Sequence, residues 1–367
     1  MPRLLPHSPI SADPSNRTYV TRLAWVDRAK GIAIGLVVLH HVIQFSAELQ
    51  WASETVIYWN TMLQTFRMPL FFAMSGLFFH RAASAPWRWL MVNRVLPFLY
   101  LYGIWTVIWN VVFEAAPIAN INFGLRHIPA LVTDPGVGPW YIFALVLYFI
   151  AAKALSPLPV WSQLALIAAV SVPVATHLIE LPWAWQYISM YSLAFFAGMH
   201  GQRLLMRLAD RTTWVTVLIA GGVWGAGTVG VYLLAWPFGK YLFVPLCAAG
   251  IALGVSLAAL ANQATVLGWF GRRTLPIYLL HQPLIGAVYS IDVVRSLPGS
   301  GWVVAAAVLG TWAAVVVASI GIWRVGRIIP GLFVAPWYGA GNATMSRASA
   351  SAPQYSTDSR SPGDGPR

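Results

Sequence analysis

The sequence predicts an all-α, polytopic membrane protein with about ten transmembrane helices and with both termini in the cytoplasm. Composition is the first reason: 58% of the residues are hydrophobic and only 9% are charged, whereas a soluble domain carries about a quarter charged residues. The second reason is that apolar runs of spanning length recur between residues 31 and 325. The third is that basic residues are concentrated in every second loop between these runs.

The candidate spans are apolar runs bounded by basic residues, Pro or Gly. A helix needs roughly 17–25 mostly apolar residues to cross the hydrocarbon core of a bilayer. The fourth and sixth runs are short, and we expect them to be tilted or partly buried. The ten runs lie near residues 31–47, 57–79, 91–113, 139–155, 161–178, 186–202, 213–235, 241–261, 274–291 and 302–323.

Ten spans place both ends of the chain on one side of the membrane, and the distribution of positive charge identifies that side. Of the 23 Lys and Arg residues, 19 fall on the side of the N-terminus, 3 fall in the opposite loops and Arg67 lies within a span. This asymmetry predicts cytoplasmic termini and a cell (plasma) membrane location. It also explains the formal net charge of +12 as a matter of topology, so nucleic acid is not an expected partner.

The chain divides into three expected segments. Residues 1–27 are expected to form a cytoplasmic N-terminal segment, and residues 28–335 the transmembrane domain. Residues 336–367 are rich in Ser, Ala, Pro and Gly and lack apolar periodicity, which predicts a disordered cytoplasmic tail.

Polar side chains inside the predicted spans identify the candidate site, because such residues are costly in a membrane and mark cavities or partners. Lys30 and His41 are eleven residues apart in the stretch DRAKGIAIGLVVLHH. At about 100° per residue both project from one helix face, about 16 Å apart along the axis, whereas His40 is rotated some 80° away. A cation would then lie at the membrane edge and a titratable base deep inside. An alternative is a snorkelling lysine and a histidine bonded to a neighbouring helix.

Two further residues lie deep in the predicted spans. Arg67 stands fourteen residues before Arg81, about 21 Å from the inner edge, and His281 stands eight residues after Arg273, about 12 Å from that edge. At that depth an arginine needs an anion or a polar cavity, unless its span starts late and it anchors the outer interface. His281 by itself is equally well explained as a histidine that packs between helices.

The residue pattern alone leaves several functions open. No metal site is expected, since no carboxylate or cysteine lies near the deep histidines in sequence. No phosphate-binding or dinucleotide-binding glycine motif is present. A transporter or flippase of a lipid-linked or sugar substrate would use deep His and Arg residues as a proton relay or counter-ion site. A regulatory membrane protein without catalytic activity would have the same composition.

Six short motifs, in order, resemble the acyltransferase-3 family of integral membrane O-acyltransferases, and within it the fucose 4-O-acetylase-like branch. The resemblance covers about residues 25–325. The motifs are DRAKGIAIGLVVLHH (27–41), FRMPLFFAMSGLFF (66–79), NRVLPFLY (93–100), GPWYIFALVLYF (138–149), YSLAFFAGM (191–199) and GRRTLPIYLLHQPLI (271–285).

The resemblance implies an activity: transfer of an acyl group, usually acetyl from acetyl-CoA, to a hydroxyl of a carbohydrate or glycolipid outside the membrane. Acyl-CoA would be a substrate, and no bound cofactor is expected. The family's signature of Arg or Lys, ten residues and His corresponds to Lys30 and His41. This correspondence implies that His41 is the catalytic base and that Lys30 helps to position the donor.

Other family positions imply further roles. The arginine of span three corresponds to Arg94, which with Arg88 and Lys30 would form a basic rim for the donor phosphates. The late-helix histidine corresponds to His281 and the aromatic pair begins at Trp140. Arg67, His281 and Trp140 are therefore the candidates for the oxyanion or acceptor site. The sequence departs from the family in having Met91 where an arginine is common and Arg67 where this branch often has histidine.

Overall fold

The computed structural model describes residues 14–115, 124–233, 239–296 and 301–337, and these residues form helices joined by turns, without a strand among them. A π-helical segment spans Met91–Val95, and 3-10 segments span Leu125–Ala130 and Pro135–Val137. The α-helices are α1 (Pro14–Glu48), α2 (Glu54–Met62), α3 (Gln64–Gly76), α4 (His80–Ala83), α5 (Trp87–Leu90), α6 (Leu96–Ala115), α7 (Trp140–Leu155), α8 (Val160–Ala175), α9 (Trp183–His200), α10 (Gln202–Arg211), α11 (Trp214–Leu233), α12 (Gly239–Leu260), α13 (Thr265–Gly271), α14 (Thr274–Tyr289), α15 (Asp292–Arg295) and α16 (Gly301–Gly326).

The length of the helices makes this a multi-pass membrane protein. Among the described residues, five helical segments are long and apolar enough to cross a bilayer, and α7 and α8 are shorter apolar helices. The number of ten spans and the cytoplasmic location of both termini remain predictions. The five long segments are Ala24–Glu48, Trp87–Ala115, Trp214–Leu233, Lys240–Leu260 and Gly301–Gly326.

The ends of the chain lie largely outside the described residues. Helix α1 begins at Pro14 and continues without a break through residue 27, where the sequence predicted a boundary. Nearly all of the predicted tail of residues 336–367, from residue 338 onward, falls outside the described part.

Proline sets the start of several helices. Pro139, Pro159 and Pro182 stand immediately before α7, α8 and α9. A proline at a helix start costs no hydrogen bond, because the first N–H groups of a helix have no partner within it. The apolar residues that follow then continue each helix into the core.

Helix α1 lies at the centre of the bundle, in contact with α3, α12, α13, α14 and α16. Its inward faces consist of small or branched side chains that are fully buried, such as Ala29, Ala33, Val38 and Val42. Small residues let neighbouring backbones approach closely, which favours helix association in membranes. Side chains on several faces of α1 therefore meet neighbouring helices.

The closest approach to α1 is made by the short helix α13. A Cβ atom on Gly31 would collide with the carbonyl oxygen of Leu267, and one on Gly271 would collide with the carbonyl oxygen of Asp27. Only glycine permits the two backbones to pack at this separation. This contact fixes the charged turn that follows α13 beside the Lys30 end of α1.

Candidate active site

A cavity of about 300 Å³ lies between α1, α2, α3, α7 and α9. Polar and aromatic side chains line it together, which distinguishes it from the apolar surfaces around it. The residues that carry its chemistry are His40, His41, Gln44, Glu48, Asn60, Thr61, Gln64, Arg67, Trp140, Trp183, Tyr187 and Tyr191.

His41 contributes an imidazole to this cavity from the middle of α1. Its Nδ1 lies 2.9 Å from the carbonyl oxygen of Val37, one turn earlier in the helix. Because a carbonyl oxygen only accepts, Nδ1 must be the protonated nitrogen that donates. The neutral ring then keeps a lone pair on Nε2, which is the form that a general base needs.

His281 lies directly behind His41 and is fully buried. The two ring centroids are 4.8 Å apart with the ring planes at 73°, so the depth predicted for the two imidazoles is the same in the structure. The Nδ1–H of His281 donates to the carbonyl oxygen of Tyr278 at 2.6 Å, and Trp109 packs on it at 6.2 Å between centroids. His281 does not line the cavity, and its ring contacts that of His41 from outside the cavity lining.

Arg67 brings a guanidinium into the cavity from α3. Its side chain is only 3% exposed, and Nη1 donates to the carbonyl oxygen of Asn60 at 2.7 Å. The side chain is thus enclosed by neighbouring residues rather than exposed at the surface. In the described part of the chain no carboxylate forms a salt bridge with Arg67, so its charge is available to an anion that forms or binds in the cavity.

Aromatic side chains form one wall of the cavity. Trp140 begins α7, as predicted for the acceptor side, and its ring lies 6.2 Å from that of Trp183 and 5.9 Å from that of Tyr187. Trp183 and Tyr187 are themselves 5.3 Å apart. Trp183 and Tyr187 were not among the predicted site residues, although their i,i+4 spacing in WAWQY places them on one face of α9.

His40 does not follow the expectation from helix geometry. It also lines the cavity, and its ring lies 4.8 Å from that of His41 at an angle of 73°. The cavity is wide enough to meet two adjacent faces of α1, so a rotation of about 80° is not enough to turn a side chain away from it. The prediction that His40 is directed elsewhere is therefore wrong.

Lys30 lies at the other end of the stretch, away from the cavity lining. Its surroundings are charged: Arg272 lies 3.7 Å from the Asp27 carboxylate, and the Nε of Arg28 donates to the carbonyl oxygen of Ala258 at 2.6 Å. Arg272 was not among the predicted site residues. It comes to the Lys30 end of α1 because α13 packs so closely on that helix.

The two predicted donor arginines lie on a different part of the fold. Arg88 is in α5 and Arg94 is in the π-helical segment, where its guanidinium lies 5.9 Å from the ring of Trp89. This segment packs on α6 and α7. Neither arginine lines the cavity, so a role in donor binding remains a prediction for both.

These features define a multi-pass membrane protein with a half-buried imidazole and a buried guanidinium in one cavity. A family model described as an acyltransferase domain matches residues 23–322, and the chain belongs to this family, acyltransferase-3. The protein is therefore an acyltransferase, as the six sequence motifs indicated. The chain is also 23% identical over 320 residues to the inner membrane protein YcfT of Escherichia coli (strain K12), covering 76% of this chain and 84% of the relative. No solved structure matches the chain.

Replacing His281 tests whether it positions His41. We expect His281→Ala to lower kcat by up to about 10²-fold, because small displacements of a catalytic group are costly. His281→Asn should recover most of this loss, since an amide N–H can still donate to the Tyr278 carbonyl. Steady-state kinetics of both variants, with thermal unfolding as the control for folding, checks this. If the asparagine variant is no better than the alanine variant, the hydrogen bond to Tyr278 has no positioning role.

Proposed function

We propose that this acyltransferase moves an acyl group, acetyl in the first instance, from acyl-CoA to a hydroxyl of a carbohydrate or glycolipid at the cell surface, and that it acts in the cell membrane. The observation that carries the proposal is the meeting of His41 and Arg67 in one polar cavity with an aromatic wall. The family supplies the reaction class, and the cavity supplies a base, a cation and a surface for a sugar ring.

The proposed reaction is direct transfer. The acceptor hydroxyl gives its proton to Nε2 of His41 while its oxygen attacks the thioester carbonyl carbon. The carbonyl oxygen becomes an oxyanion, and Arg67 stabilises it. When the carbonyl re-forms, the carbon–sulfur bond breaks and the coenzyme A thiolate takes the proton from His41. The products are the ester and free coenzyme A.

The hydrogen bonds of the two oxyanion candidates support Arg67 for this role. The single N–H of a neutral His281 ring is committed to Tyr278, so the ring offers only a lone pair on its other side. Arg67 is a cation at every relevant pH and has further N–H groups beyond the one that meets Asn60. We therefore assign oxyanion stabilisation to Arg67 and positioning of His41 to His281.

The aromatic wall supports a carbohydrate acceptor. Sugar rings present apolar C–H faces that pack on Trp and Tyr rings, while their hydroxyls need the amides and hydroxyls that Asn60, Thr61 and Gln64 provide on the facing side. A second cavity of about 310 Å³ shares Gln64, Trp183 and Tyr187 with the first. We propose that the acceptor reaches His41 through this aromatic region.

The donor would enter from the opposite end of α1. Lys30, Arg28 and Arg272 place positive charge there, which matches the phosphates of coenzyme A. Arg88 and Arg94 remain additional candidates for the same role. The distance of about 16 Å from Lys30 to His41 along the helix would be covered by the extended arm that carries the thioester.

Loss and recovery of a surface ester tests the function. We expect O-acyl esters on cell-surface glycans or glycolipids to disappear in a deletion strain and to return with the wild-type gene, as measured by mass spectrometry. The purified protein should release coenzyme A from acetyl-CoA only when the matching glycan extract is added. Propionyl-CoA and succinyl-CoA in the same assay define the acyl group. Identical ester profiles in the deletion strain and its parent would contradict the proposal.

A further inference from the structure

A further cavity, larger than the two described above, lies along α1. It is a groove of about 430 Å³ lined mainly by α1, α12, α13 and α16, with further residues from α3, α11 and α14. The groove and the candidate active site have no lining residue in common. The groove is therefore separate from the site where His41 and Arg67 meet.

The groove offers a ligand no hydrogen-bonding side chain. Its lining consists of glycine and apolar or aromatic residues throughout: Gly31, Ile32, Ile34, Gly35, Leu36, Leu39, Leu63, Phe66, Trp224, Leu253, Leu257, Leu267, Phe270, Ile277, Trp312 and Val316. The two indole N–H groups are already used, since Trp312 donates to the Gly35 carbonyl and Trp224 donates to the Thr65 hydroxyl. A sugar or a pantetheine arm would lose its hydrogen bonds here, whereas a hydrocarbon chain would lose none.

One end of the groove carries a cluster of arginines. Leu267 and Phe270 line the groove, and the turn directly after α13 contains Arg272 and Arg273. The Arg273 guanidinium lies 4.1 Å from the ring centroid of Trp269 and 5.5 Å from that of Trp323. The guanidinium of Arg327 lies 5.6 Å from the same Trp323 ring.

This arginine cluster consists of Arg272, Arg273, Arg324 and Arg327, and its charge is poorly balanced. Arg272 pairs with Asp27 at 3.7 Å. Within the described ranges no carboxylate forms a salt bridge with the other three. Burial lowers the pKa of Arg273, and the nearby charges of Arg272 and Arg324 lower it further. Like charges held this close favour a bound anion.

We propose that the groove and the arginine cluster form a binding site for an anionic phospholipid, with a hydrocarbon chain in the groove and the phosphate on Arg273, Arg324 and Arg327. The bilayer presents this ligand at the mouth of the site at high local concentration. Basic pockets between membrane helices bind anionic headgroups by this charge complementarity. Contact with α1 and α13 would let the lipid stabilise the packing of α13 against α1, the helix that carries Lys30.

Lipid retention by the purified full-length protein tests the proposal. Phosphatidylglycerol and phosphatidylcholine with identical chains are offered in equal amounts in detergent, and bound lipid is counted by native mass spectrometry. We expect at least tenfold more phosphatidylglycerol to remain bound. Gly35→Leu and Ile32→Phe fill the groove, and Arg273→Gln/Arg324→Gln removes charge, so each should reduce this retention at least tenfold.

Matched controls keep the test specific. Gly222→Leu adds the same side chain on α11 where a Cβ meets no atom within 4 Å, and Arg203→Gln/Arg207→Gln removes two exposed charges on α10. Both controls should retain lipid as the wild type does. Equal retention of the two lipids, or unchanged retention in both groove-filling variants, would overturn the proposal. So would displacement of the lipid by glycerol phosphate or by coenzyme A, which would identify a site for free phosphates or for the donor.

Discussion

Replacing His41 by alanine is expected to lower kcat by about 10²–10⁴-fold, the range that general-base catalysis supplies. The variant removes an imidazole that lines the cavity and whose ring lies 4.8 Å from that of His281. Folding should survive, because the hydrogen bond lost with the ring joins residues of one helix, Val37 and His41. The measurement is transfer of labelled acetyl from acetyl-CoA to the acceptor, with thermal unfolding to establish that the variant is intact.

His40→Ala is the matched control for this prediction. It removes the same side chain from the neighbouring position, where the ring also lines the cavity and lies 4.8 Å from that of His41. We expect kcat to stay within about tenfold of the wild type and KM to change more, since His40 would form a wall of the binding site. Equal losses of kcat in the two variants would show that the base has been assigned to the wrong histidine, or that both act together.

The helical architecture was predictable because apolar run length and proline punctuation are properties of the sequence alone. The breaks inside helices were not. The predicted span of residues 57–79 is divided at Leu63 into α2 and α3, with neither glycine nor proline at the break. Across this break the Arg67 side chain donates to the Asn60 carbonyl, a contact that run length and proline positions do not predict.

The proximity of two site residues was also predictable, since the rise per residue of a helix is fixed. Counting from the basic edge placed His41 and His281 at comparable depth, and their rings are in contact. Depth does not determine which helices are neighbours. Trp183 and Arg272 therefore escaped prediction, because the first depends on α9 packing beside α7 and the second on α13 packing against Gly31.

The angular position of a side chain on its helix did not predict whether that side chain lines the cavity. A helical wheel places His40 and His41 on different faces of α1. Whether both reach the cavity depends on its width, and both do. Cavity width depends on side chains from α2, α3 and α9 that are distant in sequence. The roles of Lys30 and Arg94 likewise do not follow from helix geometry, since each role depends on where the donor binds.

Replacing Arg67 is expected to have the second large effect on catalysis. Removing one group that stabilises an oxyanion costs about 10²–10³-fold in kcat, so we expect Arg67→Gln to fall in this range with KM changed far less. Arg67→Lys should lie between the wild type and the glutamine variant, because it keeps the charge and loses the forked geometry. Kinetics with acetyl-CoA and the acceptor measures both constants.

The free energy of unfolding separates catalysis from structure in these Arg67 variants. Arg67 is 3% exposed, and its Nη1 donates a hydrogen bond to the backbone carbonyl of Asn60. Removing a buried charge that lacks a carboxylate partner relieves an unfavourable desolvation, so Arg67→Gln should unfold at the same temperature as the wild type or higher. A variant with a higher unfolding temperature and a much lower kcat would indicate that the Arg67 charge stabilises the transition state rather than the fold. If Arg67→Gln instead loses stability and raises KM at unchanged kcat, Arg67 holds the cavity open or binds the acceptor, and the oxyanion must be stabilised by another group.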